Sequence, residues 1–237
     1  MSDPDNNTFA LILAAAGNSS RFSRRGQSDS SVKKVFTHLG GKPVWLRCVE
    51  KFASRDDVVQ IIVVVAPEDI DWFRKYNLSE INRLLIRVVA GGENRVDSIR
   101  SGLVAVSPKA GYVAIHDAAR PCVTDHEIAA VFKEAKKQGA AALASPLVGT
   151  IKRVVEGRIV ETVPREQFWE VQTPQVFRRE LILEAYQQRL RDIPTDDAQL
   201  VERLGQLVHV VPADRGNIKI TTQSDLVLAK HLVDNGR

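Results

Sequence analysis

The sequence has only two cysteines in 237 residues, Cys48 and Cys122, and neither belongs to a C-x-x-C pair. That excludes a cysteine metal knuckle or a dithiol redox motif and predicts two reduced thiols. Phe, Trp and Tyr together make up 6% of the chain, and no dense Lys/Arg block is interleaved with them. The short pairs Arg24-Arg25 and Lys136-Lys137 read as solvated charge, so no nucleic-acid surface is expected. The longest apolar run, residues 9–16, is far too short to cross a bilayer. Residues 1–8 are acidic and polar, without the basic segment of a secretory signal. G-x-G-x-x-G is missing after that first apolar run, which argues against a dinucleotide dehydrogenase. A cytoplasmic protein with neither a membrane nor a nucleic-acid partner is therefore expected.

What the chain does contain is an ordinary globular composition, 44% hydrophobic and 26% charged, with a net charge of +4. A mildly basic balance suits small phosphorylated substrates. The length fits one α/β domain, residues 1–237, with an excursion over residues 147–170. Residues 10–15, 60–65, 85–90, 112–116 and 141–145 have strand length, and several are nearly continuous in apolar residues. Such runs mark strands buried on both faces of a parallel sheet. Helical spacing predicts helices over 43–53, 68–76, 95–106 and 125–138, the last opened by a Thr124/Glu127 capping box. Residues 150–155 and 158–163, joined at Glu156-Gly157, read as a hairpin outside the βαβ rhythm that projects as an arm. Helices over 178–190, 196–204 and 222–233 follow, with strands over 207–211 and 218–220. The predicted class is a three-layer, Rossmann-like α/β fold with a mostly parallel twisted sheet and a projecting β-hairpin arm.

Four segments carry candidate chemistry. The first apolar run ends in Ala15-Ala16-Gly17 and leads, through the polar stretch 23–31, to Lys33-Lys34-Val35-Phe36. Small residues let backbone approach a ligand closely, and Arg21 and Lys34 suit a polyphosphate as fork and point charge. The competing reading is a plain turn with solvated charges. Gly91-Gly92-Glu93-Asn94-Arg95 enters a helix whose first turn carries Arg95 and Ser98, an acceptor or anion site or else a simple glycine turn. His116-Asp117-Ala118-Ala119-Arg120-Pro121 ends an apolar strand. Asp117 there could hold Mg²⁺, or could turn the loop and pair with Arg120. His116 gets no role beyond packing. Around Thr150, Arg165, Thr173 and Lys219 further basic and hydroxyl groups gather, and Thr195-Asp196-Asp197-Ala198 reads as a helix cap.

In this order the segments resemble the 2-C-methyl-D-erythritol 4-phosphate cytidylyltransferases. The shared features are AAAG-x3-R, Lys-x-Phe, Gly-Gly-x-x-Arg-x-x-Ser, His-Asp-Ala-Ala-Arg-Pro, Thr-x-Lys, Thr-Val-x-Arg, Thr-Pro-Gln, Thr-Asp-Asp-Ala and Asn-Ile-Lys-x-Thr, spread over residues 10–221. The resemblance implies cytidylyl transfer from CTP to a sugar-alcohol phosphate with release of pyrophosphate. It implies a cytosolic, Mg²⁺-dependent homodimer whose arms reach across to the partner. A related family uses ribitol 5-phosphate, and a CTP-binding module without catalysis is the reading from another class. By motif match, Arg21 and Lys34 stabilise the transition state, joined at the phosphates by Lys219 and Arg165. Ala15, Ala16, Gly17, Gly92, Glu93, Arg95 and Ser98 line the nucleotide site. Asp117 takes the metal, and Arg120, Thr150, Arg165, Thr173 and Lys219 face the acceptor. Ser19 stands where the family usually has a second glycine, Glu93 where Asp is common, and the loop before Lys34 is longer than usual.

Overall fold

Strand β1 (Phe9–Ala14) divides its side chains between two cores. Phe9, Leu11 and Leu13 enter one apolar cluster, and Ala10 and Ile12 enter another, as the two-residue period of a strand requires. Both clusters need cover, and helices on each face supply it. The computed structural model describes residues 6–17, 33–188 and 193–237. Arg21, Ser19 and the 23–31 stretch lie outside the described residues.

After β1 the chain forms β2 (His38–Leu39), β3 (Lys42–Pro43), α1 (Val44–Ala53), β4 (Val58–Val65), α2 (Ile70–Tyr76), α3 (Leu78–Arg83) and β5 (Ile86–Ala90). It continues with α4 (Arg95–Val104), β6 (Tyr112–Asp117), α5 (Asp125–Gln138) and β7 (Ala140–Pro146). The hairpin β8 (Ile151–Val155) and β9 (Arg158–Val163) comes next, then β10 (Trp169–Arg178) and α6 (Arg179–Gln187). The last elements are α7 (Ala198–Arg203), β11 (His209–Pro212) and α8 (Gln223–Asp234). A seven-stranded sheet runs in the order β11-β7-β10-β6-β1-β4-β5. Only β10 is antiparallel to its neighbours, β6 and β7. On one face α1 and α5 pack through Trp45, Phe52 and Phe132. On the other, α4, α6 and α7 pack through Ile99, Ile182 and Val201. The expected three-layer fold is present, and β8–β9 forms a separate two-stranded sheet.

The capping box is also present. Thr124 Oγ1 accepts from the Glu127 N–H at 3.2 Å, and Glu127 Oε2 accepts from the Thr124 N–H at 2.8 Å. Gly102 lets α4 lie close on the sheet: a Cβ there would sit 2.8 Å from Ile12 Cγ2 and 3.1 Å from Val64 Cγ2. Gly102→Val is therefore expected to destabilise the fold by about 1–3 kcal/mol in urea unfolding. An unchanged midpoint would contradict that close approach.

Three expectations need correction. Residues 218–220 form no strand; they dock as an extended loop, with the Ile220 N–H donating to the Ala119 carbonyl at 2.8 Å. The helix expected over 68–76 opens with a 3₁₀ turn, Pro67–Asp69, before α2 begins at Ile70. Strand β10 is an addition to the expected elements, and it carries Pro174, a residue disfavoured in a central strand. The β10–β7 ladder breaks its register between Val171 and Gln175, and the proline occupies that gap, where no ladder bond needs its missing N–H.

Candidate active site

The sheet changes direction of travel beside β1: β4 and β5 extend it one way, and β6 lies on the other side. Open α/β sheets bind ligands at the carboxyl ends of strands around such a point. A cavity of about 710 Å³ opens there. Its floor is the ends of β1 and β6, with Ala14, Ala16, Gly17 and Asp117. Its walls are the turn before α4, Lys34 with Val35, and the turn at Ala66–Glu68; Lys219 enters from the loop before α8.

The Gly91-Gly92 turn is shaped by close approach. A Cβ on Gly91 would lie 2.7 Å from Ser98 Oγ and 2.8 Å from Ala16 Cβ; one on Gly92 would lie 2.5 Å from Asp97 Cβ. Ser98 Oγ accepts from the Gly92 N–H at 3.1 Å and donates to the Asn94 carbonyl at 2.9 Å. Asn94 caps α4 by accepting from the Asp97 N–H at 2.9 Å. The turn is thus packed against Ala16, just past the end of β1, as one wall, with Glu93 at its exposed rim.

At the opposite end, Asp117 is 7% exposed and lies between two cations. Lys219 Nζ is 2.5 Å from its Oδ2, and Arg95 Nε is 3.3 Å from its Oδ1. Burial alone would raise the Asp117 carboxyl; Arg95 and then Lys219 outweigh burial and hold it well below the usual carboxylate range. The open alternative of an Asp117–Arg120 pair is not realised. The Arg120 guanidinium is buried and donates to the Asn217 carbonyl at 2.6 Å.

His116, given no role from sequence, ties this end together. Its Nε2 lies 3.1 Å from the Arg120 carbonyl, which can only accept, so the ring proton is on Nε2. Its Nδ1 then accepts from the Thr173 hydroxyl at 3.2 Å, while Thr173 Oγ1 accepts from the Asp117 N–H at 3.0 Å. Burial pushes the imidazole down to about 4, which matches this neutral form. Thr173 thereby holds the backbone behind Asp117 and is itself buried.

Adjacent lysines differ in placement. Lys33 Nζ is bound to Glu68 at 2.9 Å and Asp69 at 2.7 Å, whereas Lys34 lines the cavity. Of the residues singled out from sequence, Ala16, Gly17, Lys34, Gly92, Glu93, Arg95, Ser98, Asp117 and Lys219 all line this one cavity. Ala15 is buried behind it. Thr150 and Arg165 are exposed on the arm, away from the cavity of their own chain, with Arg165 donating to the Val148 carbonyl. The cap reading of 195–198 is half realised: Asp196 Oδ1 accepts from the Gln199 N–H at 3.0 Å, but Asp197 caps nothing. Asp197 turns inward to Arg95 at 2.7 Å, a contact across 102 residues that no local signal announces.

Among the described residues, no group of three His, Cys, Asp or Glu side chains could hold a metal unaided. The donor set nonetheless fits Mg²⁺, which is commonly held by one or two carboxylates together with substrate phosphates. Asp117 is the buried, ionised carboxylate that lines the cavity, paired there with Lys219 and Arg95.

A family profile for 2-C-methyl-D-erythritol 4-phosphate cytidylyltransferase matches residues 9–235. A curated relative of that name from Solibacter usitatus is 40% identical over 227 residues, covering 93% of each chain. The solved 4-diphosphocytidyl-2C-methyl-D-erythritol synthase from Anaerococcus prevotii superposes with a TM-score of 0.81 at 26% identity, covering 97% of both chains. The 2-C-methyl-D-erythritol 4-phosphate cytidylyltransferase from Thermus thermophilus gives 0.75 at 30% identity, covering 94% of this chain and 98% of its own.

Proposed function

We infer that this chain, which belongs to the 2-C-methyl-D-erythritol 4-phosphate cytidylyltransferase family, uses the cavity at the ends of β1 and β6 for its reaction. The reaction transfers a cytidylyl group from CTP to 2-C-methyl-D-erythritol 4-phosphate and releases pyrophosphate. The observation that carries the assignment to this cavity is the meeting of Lys34, Lys219 and Asp117 opposite the Gly92–Ser98 wall. In this reading the wall receives the cytidine, with backbone groups of the glycine turn and Ser98 as polar contacts. The triphosphate lies toward Lys34 and Lys219.

The acceptor phosphate is anionic near neutral pH, so no side chain need remove a proton. Its oxygen attacks the α-phosphorus in line, the P–O bond to the β-phosphate breaks, and pyrophosphate carries away the electron pair. The protein's task is to bring two anions together and stabilise the charge that builds up between them. Lys34 and Lys219 do this from the cavity lining, and the family resemblance assigns Arg21 the same task. Mg²⁺ held by Asp117 would neutralise triphosphate charge.

The homodimer belongs to the same reading. Supporting it are the exposed apolar residues of the arm, Val154, Ile159 and Val160, at 54%, 66% and 49% exposure. A partner copy that covers them would also bring Thr150 and Arg165 to a neighbouring cavity, at the Asp117 end, where Thr173 and Arg120 are buried. Light scattering is expected to give twice the chain mass, and a monomer at micromolar concentration would remove the arm from the site. The reading places the enzyme in the cytoplasm, consistent with two free, buried cysteines. No helix among the described residues is long and apolar enough to cross a membrane. Acceptor choice is tested by pyrophosphate release with CTP, Mg²⁺ and each sugar-alcohol phosphate in turn. Release is expected with 2-C-methyl-D-erythritol 4-phosphate, and a preference for ribitol 5-phosphate would overturn the choice.

A further inference from the structure

Asp197 is 1% exposed, yet it stands at the first position before a helix, where an Asp ordinarily caps. Its side chain is not used that way, and its neighbours take over the task. The Gln199 N–H is met by Asp196 Oδ1 at 3.0 Å, and the Ala198 N–H by Gln175 Oε1 at 2.9 Å. Gln175 Nε2 in turn donates to Asp196 Oδ2 at 2.9 Å, which fixes the capping pair in place. The Asp197 carboxylate is thereby released to face the interior.

There it receives two donors. Arg95 Nη2 lies 2.7 Å from Oδ2, and the Tyr186 hydroxyl lies 2.5 Å from Oδ1. A buried carboxylate with both oxygens engaged is a rigid anchor, because removing either donor leaves charge uncompensated in a dry site. What it anchors is a cavity-lining residue. Arg95 reaches from the first turn of α4, with Nη2 on Asp197 and Nε on Asp117. The charges alternate: Asp197, Arg95, Asp117, Lys219. The two cations flanking Asp117 are therefore unequal. Arg95 is tethered from behind by a buried partner on another element. Lys219 pairs with Asp117 from the cavity side, and its side chain is 38% exposed.

We propose that Asp197, held by Tyr186, is a positioning residue of the nucleotide site: it acts through Arg95, fixing that guanidinium between the Gly92–Ser98 wall and Asp117. The inference rests on the reading of this cavity as the CTP site. The direction of the Arg95 shift agrees with it: burial would lower the guanidinium, and Asp197 first, then Asp117, reverse that and raise it. Because Arg95 belongs to the turn that forms the nucleotide wall, its loss should weaken ground-state binding of CTP more than turnover.

The test is a double-mutant cycle read by calorimetric CTP binding in the presence of Mg²⁺, with steady-state turnover alongside. Asp197→Asn is expected to weaken CTP binding by about tenfold to a hundredfold, the usual consequence of losing a charged hydrogen bond. Arg95→Met is expected to do the same, and the double variant should be no worse than Arg95→Met alone, since neighbours acting through one contact are not additive. Should Asp197→Asn fail to fold, Tyr186→Phe keeps the carboxylate and the ring and is expected to weaken CTP binding severalfold, again only while Arg95 is present. Penalties that multiply on the Arg95→Met background, or unchanged CTP affinity in both Asp197→Asn and Tyr186→Phe, would overturn the proposal. Wild-type protein that binds CTP but releases no pyrophosphate would instead count against the proposed reaction and leave the cycle readable.

Discussion

Lys34→Met is expected to lower kcat by about 10²–10³, the range for removing one preorganised charge from a transition state. Lys33→Met, one residue away, should leave kcat within a factor of about two, because Lys33 does not itself line the cavity and its ion pairs only support the turn at its edge. The contrast follows from geometry. Lys33 Nζ is held by Glu68 and Asp69 and so supports the turn that follows β4, whereas Lys34 faces the cavity that Asp117 and Lys219 also line. Both positions carry the same side chain, so composition and net charge change equally in the two variants. Single-turnover kinetics with saturating CTP and acceptor separates the chemical step from binding. A large loss in Lys33→Met with Lys34→Met near wild type would exchange their roles, and equal small losses would remove both from the mechanism. Arg21→Ala is expected to resemble Lys34→Met in the same assay.

Asp117→Asn should cost about as much, on the order of 10²–10³ in kcat, but with a different signature. The substitution keeps the shape and removes the charge. Arg95 and Lys219 then lose the carboxylate between them, and the amide NH₂ faces at least one cation. Two consequences separate this variant from the lysine variants. The Mg²⁺ concentration giving half-maximal rate should rise, because a neutral amide oxygen is a poorer ligand for a hard cation. The protein should also lose the stability that ionised Asp117 supplies. Its folded-state pKa is held below the unfolded value, so that contribution is present above the usual carboxylate range and fades as the pH falls toward the folded value. Urea midpoints of wild type and Asp117→Asn should therefore approach each other on acidification. A variant with full activity at low Mg²⁺ would exclude Asp117 as metal ligand.

The parts of this site that were legible in the sequence are those whose chemistry is contiguous. The Gly91–Ser98 turn and the 116–121 segment each follow a strand and carry their functional groups within a few residues, as does Ala15–Gly17 after β1, so local pattern places them at strand ends. Their ordered resemblance to one family then joined them. What stayed hidden depends on long-range packing. Asp197 had a sound local reading as a cap, and only the fold brings it to Arg95, 102 residues away. His116 looked like a packed histidine and is one, but its two ring nitrogens also fix the Arg120 carbonyl and, through Thr173, the backbone of Asp117. The segment before α8 has the alternation of a strand, Ile218 and Ile220 around Lys219. Both isoleucines meet the small cluster under α8 and no strand pairs with them, so the same alternation instead turns Lys219 outward to the cavity. Strand β10, absent from the expected elements, tolerates Pro174 because the ladder to β7 skips it.

The central claim is that one cavity at the ends of β1 and β6 carries out cytidylyl transfer. The most direct test follows label from α-labelled CTP in a reaction with 2-C-methyl-D-erythritol 4-phosphate and Mg²⁺, with pyrophosphate measured in parallel. Wild-type protein is predicted to form labelled diphosphocytidyl product and pyrophosphate in equal amounts, and Lys34→Met to lose both together while still binding CTP. Pyrophosphate without labelled product, or undiminished product formation by Lys34→Met, would contradict the account.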